Sequence, residues 1–288
     1  MRIDGINVHI DSSNFAKVSQ LGCEWVRIDI NWWQIEKSNN SFNWSQIDSI
    51  VNHYSSRFKI YATLMGSPKW HRAEFNDPPD PTLWARFCAT CAKRYQGRIA
   101  VYSLWNEPNL GKTFWKGSIK QFFQTIVAPG AEAIKAVNPA LQVAAADFAT
   151  TSSSKWPSWL DEFKHHLKNI DIVSIHTYKN SAGEVERAFT IGQFPIIGWL
   201  IPKFRPYNHY LKKLKKPVFL TEVGLEAKYG NSKQMKEQAK FVKGVQDIRK
   251  DIDVENIFFY CLFDADEKLE KPFGFYSIKG EPKTVVFS

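Results

Sequence analysis

Short runs of apolar residues alternate with amphipathic helical patterns along most of the 288-residue chain. Short apolar runs bounded by polar residues are typical of buried strands, whereas apolar residues spaced three and four apart predict helices. The predicted strands are 6–10, 25–30, 59–65, 100–106, 142–148, 170–178, 217–223 and 256–263. The predicted helices include 45–57, 82–96, 119–137, 157–167, 207–215 and 232–250.

This alternation predicts the fold class. Strands that alternate with helices pair in parallel through right-handed crossovers. Eight such units predict an α/β protein with a single (β/α)8 TIM barrel over residues 1–288, a length close to the roughly 250 residues typical of one barrel. An open doubly wound sheet is the alternative, but the chain has no glycine-rich first turn of the kind that a nucleotide-binding fold needs.

Two regions depart from the regular alternation. After the sixth predicted strand, residues 179–206 form a long loop insertion with an apolar run at 194–202. Long loops on the catalytic face of a barrel commonly carry function, and an exposed apolar patch commonly binds a partner or a membrane surface. After Gly280 few residues follow, so a short or truncated final helix is expected.

Charge and apolar content restrict the possible partners. The formal net charge is +9, but the lysine cluster at 212–216 lies on a predicted helix, where a solvated face is the favoured interpretation and no nucleic acid partner is expected. No apolar run reaches the roughly 18 residues of a membrane span. No signal peptide is visible, so the expected location is secreted or periplasmic if a leader was removed and cytoplasmic otherwise.

The four cysteines predict neither a disulfide framework nor a metal site. Cys88 and Cys91 form a CxxC motif, but Trp84, Phe87 and Tyr95 continue an apolar stripe at helical spacing around them. Both thiols are therefore expected to pack as small hydrophobic groups.

Two glutamates mark the candidate chemistry. Glu107 follows the fourth predicted strand in Trp105-Asn106-Glu107-Pro108, and Glu222 ends the seventh in Leu220-Thr221-Glu222. A parallel barrel collects the carboxyl ends of its strands on one face, where its chemistry takes place. Two carboxylates brought together there are the minimum equipment for cleaving a glycosidic bond.

Further polar and aromatic residues fall at the predicted strand ends. With side chains alternating along each strand, the sets that share a face are Trp25, Arg27 and Asp29; Ser103, Trp105 and Glu107; Ser174, His176 and Tyr178; and Val218, Leu220 and Glu222. The predicted substrate-binding residues are Arg27, Asn106, His176, Tyr178, His9, Tyr260 and Trp70, the last as a stacking platform for a sugar. Arg27 and Tyr178 are expected to stabilise the ionised form of Glu222.

A family resemblance rests on these motifs. The segment 104–110, followed by Phe114-Trp115-Lys116, resembles glycoside hydrolases of clan A and most closely those of family 39. The segment 25–29, followed by Trp33, resembles the second strand and following loop of these enzymes. The resemblance implies a barrel, retention of configuration, no cofactor, Glu107 as acid/base and Glu222 as nucleophile.

The expected function is therefore a retaining glycoside hydrolase that cleaves β-glycosidic bonds in an oligo- or polysaccharide, and endo action is the favoured expectation. Many clan members place a tryptophan near the end of the eighth strand; residues 258–264 contain none, and Tyr260 or Phe263 is the candidate substitute. No accessory β-domain is expected within these 288 residues, which favours an open groove. A non-catalytic carbohydrate-binding barrel and a transglycosylase using the same two glutamates are the alternatives.

Overall fold

A computed structural model describes residues 3–11, 14–150, 156–192, 205–266 and 268–287. Eight parallel strands formed by these residues close into a barrel, in which the first strand pairs with the last through Gly5 and Phe258. The strands are β1 Gly5–His9, β2 Trp25–Asn31, β3 Lys59–Met65, β4 Val101–Leu104, β5 Gln142–Ala149, β6 Ile172–His176, β7 Val218–Val223 and β8 Asn256–Phe259. The predicted (β/α)8 TIM barrel is confirmed.

Helices connect the strands. They are α1 Phe15–Gln20, α2 Trp32–Ile35, α3 Ser45–Tyr54, α4 Pro81–Tyr95, α5 Ile119–Phe122, α6 Ala128–Val137, α7 Trp156–Phe163, α8 Ala182–Thr190, α9 Tyr207–Leu214 and α10 Ser232–Asp247. A π-helical segment, Phe123–Val127, joins α5 to α6, and 3-10 helices lie at Pro108–Thr113 and Thr284–Phe287. Within the described ranges, no helix is long and apolar enough to cross a membrane.

Helix α4 shows how local sequence sets these elements. The Asp80 carboxylate accepts hydrogen bonds from the backbone N–H groups of Thr82 and Leu83 at 2.8 and 3.1 Å, which caps the helix. Pro81 takes the first helical turn, where its missing N–H costs nothing. Cys88 and Cys91 are fully buried free thiols on the inner face of this helix, as predicted.

The barrel interior is layered. At the amino-terminal end, apolar side chains from alternate positions pack into one cluster, which comprises Trp25, Tyr61, Val101, Ala144, Ile172, Phe219 and Phe258. The layer nearer the carboxyl ends is polar and buried, and comprises Arg27, Thr63, Ser103, Asp147, Ser174 and Thr221. The apolar layer supports the floor of the barrel, and the polar layer above it lies directly beneath the face where a barrel carries its chemistry.

The strict alternation predicted from sequence is wrong for two strands. In β7 the buried interior positions are Phe219 and Thr221, whereas Val218 and Leu220 pack in the outer core with the helices. Trp105 also faces the outer core, with ring contacts to Trp84 at 5.6 Å, because β4 ends at Leu104. The side-chain directions differ because β7 contains an extra residue and β4 ends early. Both irregularities lie next to the two glutamates.

The segment predicted as a long loop over residues 179–206 contains a helix. Helix α8 begins after Ser181, whose hydroxyl accepts a hydrogen bond from the N–H of Glu184, and it buries Val185 and Phe189 one turn apart. The apolar run 194–202 lies outside the described residues. After β8, where a short final helix was expected, the 3-10 helix Thr284–Phe287 packs on α10.

Candidate active site

Irregular pairing in three strands turns polar side chains into the barrel mouth. The register shifts between Asn7 and His9 in β1, between Ala145 and Phe148 in β5, and after Leu220 in β7. Each shift places one extra residue in the strand, which is a β-bulge, and bulges redirect side chains near active sites. His9, Asp147 and Glu222 all lie at these bulges.

Glu107 reaches the barrel mouth by a different route. The strand β4 has ended, and both Trp105 and Glu107 adopt left-handed backbone conformations, with φ of 78° and 43°. Such conformations are uncommon for residues other than glycine and cluster at functional sites. The N–H of Glu107 donates to the carbonyl oxygen of Asp147 at 3.1 Å, and Pro108 starts the 3-10 helix that follows. The chain reversal thereby directs Glu107 inward while Trp105 packs outward.

A cavity of about 770 Å³ opens at this end of the barrel. Its size lies within the range of about 300–1,000 Å³ seen for small-molecule sites. The predicted site residues that line it are His9, Arg27, Asn106, Glu107, His176, Tyr178, Glu222 and Tyr260. The structure therefore brings together eight of the nine predicted residues in one cavity.

Trp70 is the predicted site residue that the structure places elsewhere. It is absent from the lining of this cavity among the described residues. Its indole N–H donates to the carbonyl oxygen of Glu36 at 3.0 Å. Its ring packs edge to face with that of Trp32, with 6.5 Å between the ring centroids. These contacts pack Trp70 against the segment that follows β2.

Glu222 is held by a cation and a hydroxyl group. Its Oε1 forms an ion pair with Nη1 of Arg27, and its Oε2 accepts a 2.6 Å hydrogen bond from the Tyr178 hydroxyl. Burial raises the pKa of Tyr178, and the charge of Glu222 adds to that effect, so the hydroxyl remains a donor. Arg27 also donates from Nη2 to Oδ1 of Asn106 at 2.8 Å.

Glu107 and His176 form a hydrogen-bonded pair. The Nδ1 atom of His176 lies 2.9 Å from Oε1 of Glu107 and 3.4 Å from Oε2 of Glu222. Burial raises the pKa of Glu107, and the charge of Glu222 adds to the rise against the opposing effect of His176. Burial lowers the pKa of His176, but the charge of Glu222, the Asp147 carboxylate 3.7 Å from Nε2 and the hydrogen bond to Glu107 outweigh it and raise that pKa to about 9.

Asp147 is a central residue of the site that the sequence interpretation missed. It is fully buried at the bulge in β5, with φ of 50°. Four hydroxyl groups donate to its carboxylate, those of Tyr61 at 2.9 Å, Thr63 at 3.3 Å, Ser103 at 3.1 Å and Thr221 at 2.6 Å. The signal for it was available, because Asp147 is an acid near the carboxyl end of an otherwise apolar strand, as Glu222 is in β7.

His9 and Tyr260 form the side of the cavity nearest β1. His9 Nδ1 lies 2.9 Å from Oδ2 of Asp29, and its ring meets the edge of the Tyr260 ring at 5.3 Å. Burial lowers the pKa of His9, but the hydrogen bond and charge of Asp29 outweigh it and raise that pKa overall. Asp29 therefore fixes the orientation of the imidazole at the cavity wall.

One group of side chains has the spacing that could hold a metal ion. The ligand atoms of Glu107, His176 and Glu222 all lie within 4.8 Å of one another. The guanidinium of Arg27 already neutralises Glu222, and a protonated His176 would repel a second cation. The donor set therefore fits proton chemistry better than metal binding.

A (β/α)8 barrel with one glutamate after β4 and a second in β7, both lining the same cavity, defines the class of protein. The family model for glycosyl hydrolases family 39 matches residues 9–252, and the chain belongs to that family. A β-xylosidase from Geobacillus stearothermophilus is 25% identical over an alignment of 163 residues, and the match covers 49% of this chain and 31% of that enzyme.

Solved structures show the same fold. A family 39 glycoside hydrolase from Bacteroides cellulosilyticus matches 98% of this chain and 61% of its own, with a TM-score of 0.73 and 18% identity. A xylanase from Thermotoga petrophila, in complex with xylobiose, matches 98% of this chain and 91% of its own, with a TM-score of 0.70 and 13% identity. The chain spans about a third of the Geobacillus enzyme and less than two thirds of the Bacteroides one.

Proposed function

We propose that the protein is a retaining glycoside hydrolase that cleaves β-glycosidic bonds inside an oligo- or polysaccharide. Membership of family 39 and the paired glutamates in one cavity support hydrolysis of a sugar bond. The single observation that carries the mechanism is the close approach of the Glu107 and Glu222 carboxylates.

The separation of the two carboxylates favours retention. Oxygen atoms of Glu107 and Glu222 lie within 4.8 Å of each other. Retaining enzymes hold their two carboxyl groups about 5–5.5 Å apart, whereas inverting enzymes need about 6.5–9.5 Å to admit a water molecule between sugar and base. A gap of this size leaves Glu222 in position to attack the sugar directly.

In the first step Glu222 is the nucleophile and Glu107 the acid. Arg27 and the Tyr178 hydroxyl stabilise the ionised carboxylate of Glu222, which attacks the anomeric carbon and forms a glycosyl ester. The bond from that carbon to the leaving oxygen breaks as the oxygen takes the proton of Glu107. The raised pKa of Glu107, caused first by burial, favours the protonated acid that this step needs.

In the second step Glu107 is the base. Its carboxylate removes a proton from water, the water oxygen attacks the anomeric carbon, and the ester bond to Glu222 breaks. Asn106 has a fixed orientation, because its Oδ1 accepts from Arg27 and its Nδ2 is then left to donate. We assign that donor to the 2-hydroxyl of the sugar, a contact that strengthens in the transition state.

Cavities beside the site support internal cleavage. A second cavity of about 260 Å³ shares His9 and Glu270 with the first, and a third of about 800 Å³ shares Asp264 and Ala265 with the second. Such a series offers room for several sugars along one side of the scissile bond. An endo-acting enzyme would release mixed oligosaccharides and lower polysaccharide viscosity early, whereas an exo-acting enzyme would release monosaccharide first.

Mechanism-based labelling tests the proposal. A 2-deoxy-2-fluoro glycosyl reagent of a sugar that the wild type hydrolyses should form a stable ester on Glu222, which peptide mass mapping would locate. Glu222→Gln should take no label, and Glu226→Gln, which alters an acid at the rim of the same cavity, should still be labelled at Glu222. Label on another residue, or inverted product configuration by NMR, would contradict the mechanism.

A further inference from the structure

Asp147 lies beneath both proposed catalytic glutamates and is connected to each through one cation. Its Oδ2 is 3.3 Å from Nη2 of Arg27, which pairs with Glu222, and its Oδ1 is 3.7 Å from Nε2 of His176, which bonds Glu107. Asp147 lines no part of the cavity, and its side chain is fully buried. It therefore acts on the substrate only through other residues.

Burying a carboxylate here requires compensation. An isolated buried charge is costly unless it is paired and hydrogen-bonded. Burial would raise the pKa of Asp147, but Arg27, His176 and the Thr221 hydroxyl hold it well below its usual range. The carboxylate is thus ionised at all ordinary pH values. It presents a permanent negative charge to the Nε2 edge of the His176 ring, on the side away from Glu107.

We propose that Asp147 is a positioning residue that keeps His176 doubly protonated, so that the imidazolium binds Oε1 of Glu107 and leaves the acid proton on Oε2. The inference rests on the proposed function, because it assigns Glu107 as the acid. The proposal concerns which ring nitrogens of His176 carry a proton. That choice decides which oxygen of Glu107 carries the proton.

The argument follows from the two ring nitrogens. The Asp147 carboxylate, 3.7 Å from Nε2, favours the tautomer that carries a proton on that atom. A neutral His176 would then have a bare Nδ1, which accepts a hydrogen bond from Glu107 and draws the acid proton toward the ring. A protonated His176 instead donates from Nδ1 at 2.9 Å, so Oε1 of Glu107 must be the acceptor.

The charged groups around His176 come from four strands or strand ends. They are Asp147 on β5, Glu107 after β4, Glu222 on β7 and Arg27 on β2. The Tyr178 hydroxyl is close to them and donates a hydrogen bond to Glu222. Glu222 also faces His176, 3.4 Å from Nδ1, and its charge contributes most to the raised pKa of His176; like Asp147, it pairs with Arg27. Asp147 is the acid placed on the Nε2 side.

Nitrogen NMR of histidine-labelled protein tests the inference without any substrate. In the wild type, both ring nitrogens of His176 should be protonated at neutral pH, and the ring should titrate near the raised pKa of about 9. Asp147→Asn keeps the shape and removes the charge, and it should lower this midpoint by about 1–3 units. His176→Gln assigns the signal. Asp147→Ser gives the same readout should the Asn variant fail to fold.

Asp29→Asn is the matched control. It removes a second carboxylate that contacts a histidine at the barrel mouth, at 2.9 Å, but its partner is His9. It should lower the pKa of His9 and leave the His176 midpoint in place. The inference is wrong if His176 is neutral in the wild type at neutral pH, if the Asp147 variants leave its midpoint unchanged, or if Asp29→Asn shifts it equally.

The pH profile of hydrolysis gives a second readout. With any aryl β-glycoside that the wild type turns over, the alkaline limb of kcat for Asp147→Asn should move to lower pH by the same interval as the NMR midpoint. A purely structural role would lower kcat or Tm without moving that limb. Absence of hydrolysis by the wild type would contradict the proposed function and leave the NMR result to decide the inference.

Discussion

The hydroxyl of Tyr178 donates a 2.6 Å hydrogen bond to Oε2 of Glu222, the oxygen that Arg27 does not bind. Each oxygen of the proposed nucleophile therefore has its own donor. Two separate donors fix the plane of the carboxylate as well as its charge. The geometry makes Tyr178 a sensitive probe of the proposed first step.

Tyr178→Phe should lower kcat/KM for glycoside cleavage by about 10- to 100-fold, because a hydrogen bond to a charged group contributes about 1.5–3 kcal/mol. Steady-state kinetics on an aryl glycoside would measure it. Tyr276→Phe is the control, since its hydroxyl bonds Gln20 at 3.1 Å away from the cavity, and it should retain wild-type kinetics. Equal loss in both variants would argue against a role for Tyr178 at Glu222.

Glu107→Gln should reduce hydrolysis of substrates with poor leaving groups by about 10²–10⁴-fold, which is the usual contribution of general acid–base catalysis. Substrates with good leaving groups need little protonation, so their first step should be affected far less. Added azide, which needs no base to activate it, should restore turnover and yield a glycosyl azide. A uniform loss across leaving groups, with no azide rescue, would contradict the acid/base assignment.

The free energy of unfolding should depend on pH through His176. Its folded pKa of about 9 lies above the ordinary value of 6.5, so the folded state holds the proton more tightly. The resulting stabilisation is fully present below pH 6.5 and is lost as the pH rises through 9. The difference between the folded and the ordinary pKa of His176 corresponds to about 3 kcal/mol of unfolding free energy.

Urea unfolding of the wild type and His176→Gln, at about pH 6 and about pH 10, would measure this effect. The difference in unfolding free energy between the two proteins should shrink toward high pH. Titrating groups that do not contact His176 are common to both proteins and cancel in the comparison. A difference that stays constant with pH would contradict the raised pKa of His176.

Gly66→Ala should destabilise the fold more than Gly97→Ala. Both glycines have positive φ, 85° and 78°, so alanine at either position costs about 1–2 kcal/mol of backbone strain. At Gly66 the new Cβ would also lie 2.1 Å from Cε3 of Trp33, whereas at Gly97 it meets nothing within 4 Å. Overpacking adds about 1–3 kcal/mol. Equal unfolding free energies for the two variants would contradict the close packing of Trp33.

The barrel could be predicted from sequence because its signal is repeated. Each apolar strand followed by an amphipathic helix gives independent support for the same topology. Errors of a few residues at strand ends therefore leave the predicted topology unchanged. The shared cavity of Glu107 and Glu222 could also be inferred, since the carboxyl ends of all strands in a parallel barrel meet on one face.

The alternation of side chains failed where the backbone is irregular. A β-bulge adds one residue without changing the apolar character of the strand, so Val218 and Leu220 were expected on the wrong side and Asp147 was not singled out. The placement of Trp70 depends on its hydrogen bond to Glu36, a contact between distant segments that no local pattern reveals. The roles predicted for the site residues await the experiments described above.

Because of the bulges in β1, β5 and β7, the site depends on the number of residues in each strand as well as on their chemical identity. Deleting a single residue from β5 would restore regular pairing and carry the Asp147 carboxylate out of the barrel, even with every polar side chain conserved in kind. An engineer who grafted these residues onto an ideal barrel would therefore have to graft the strand lengths too.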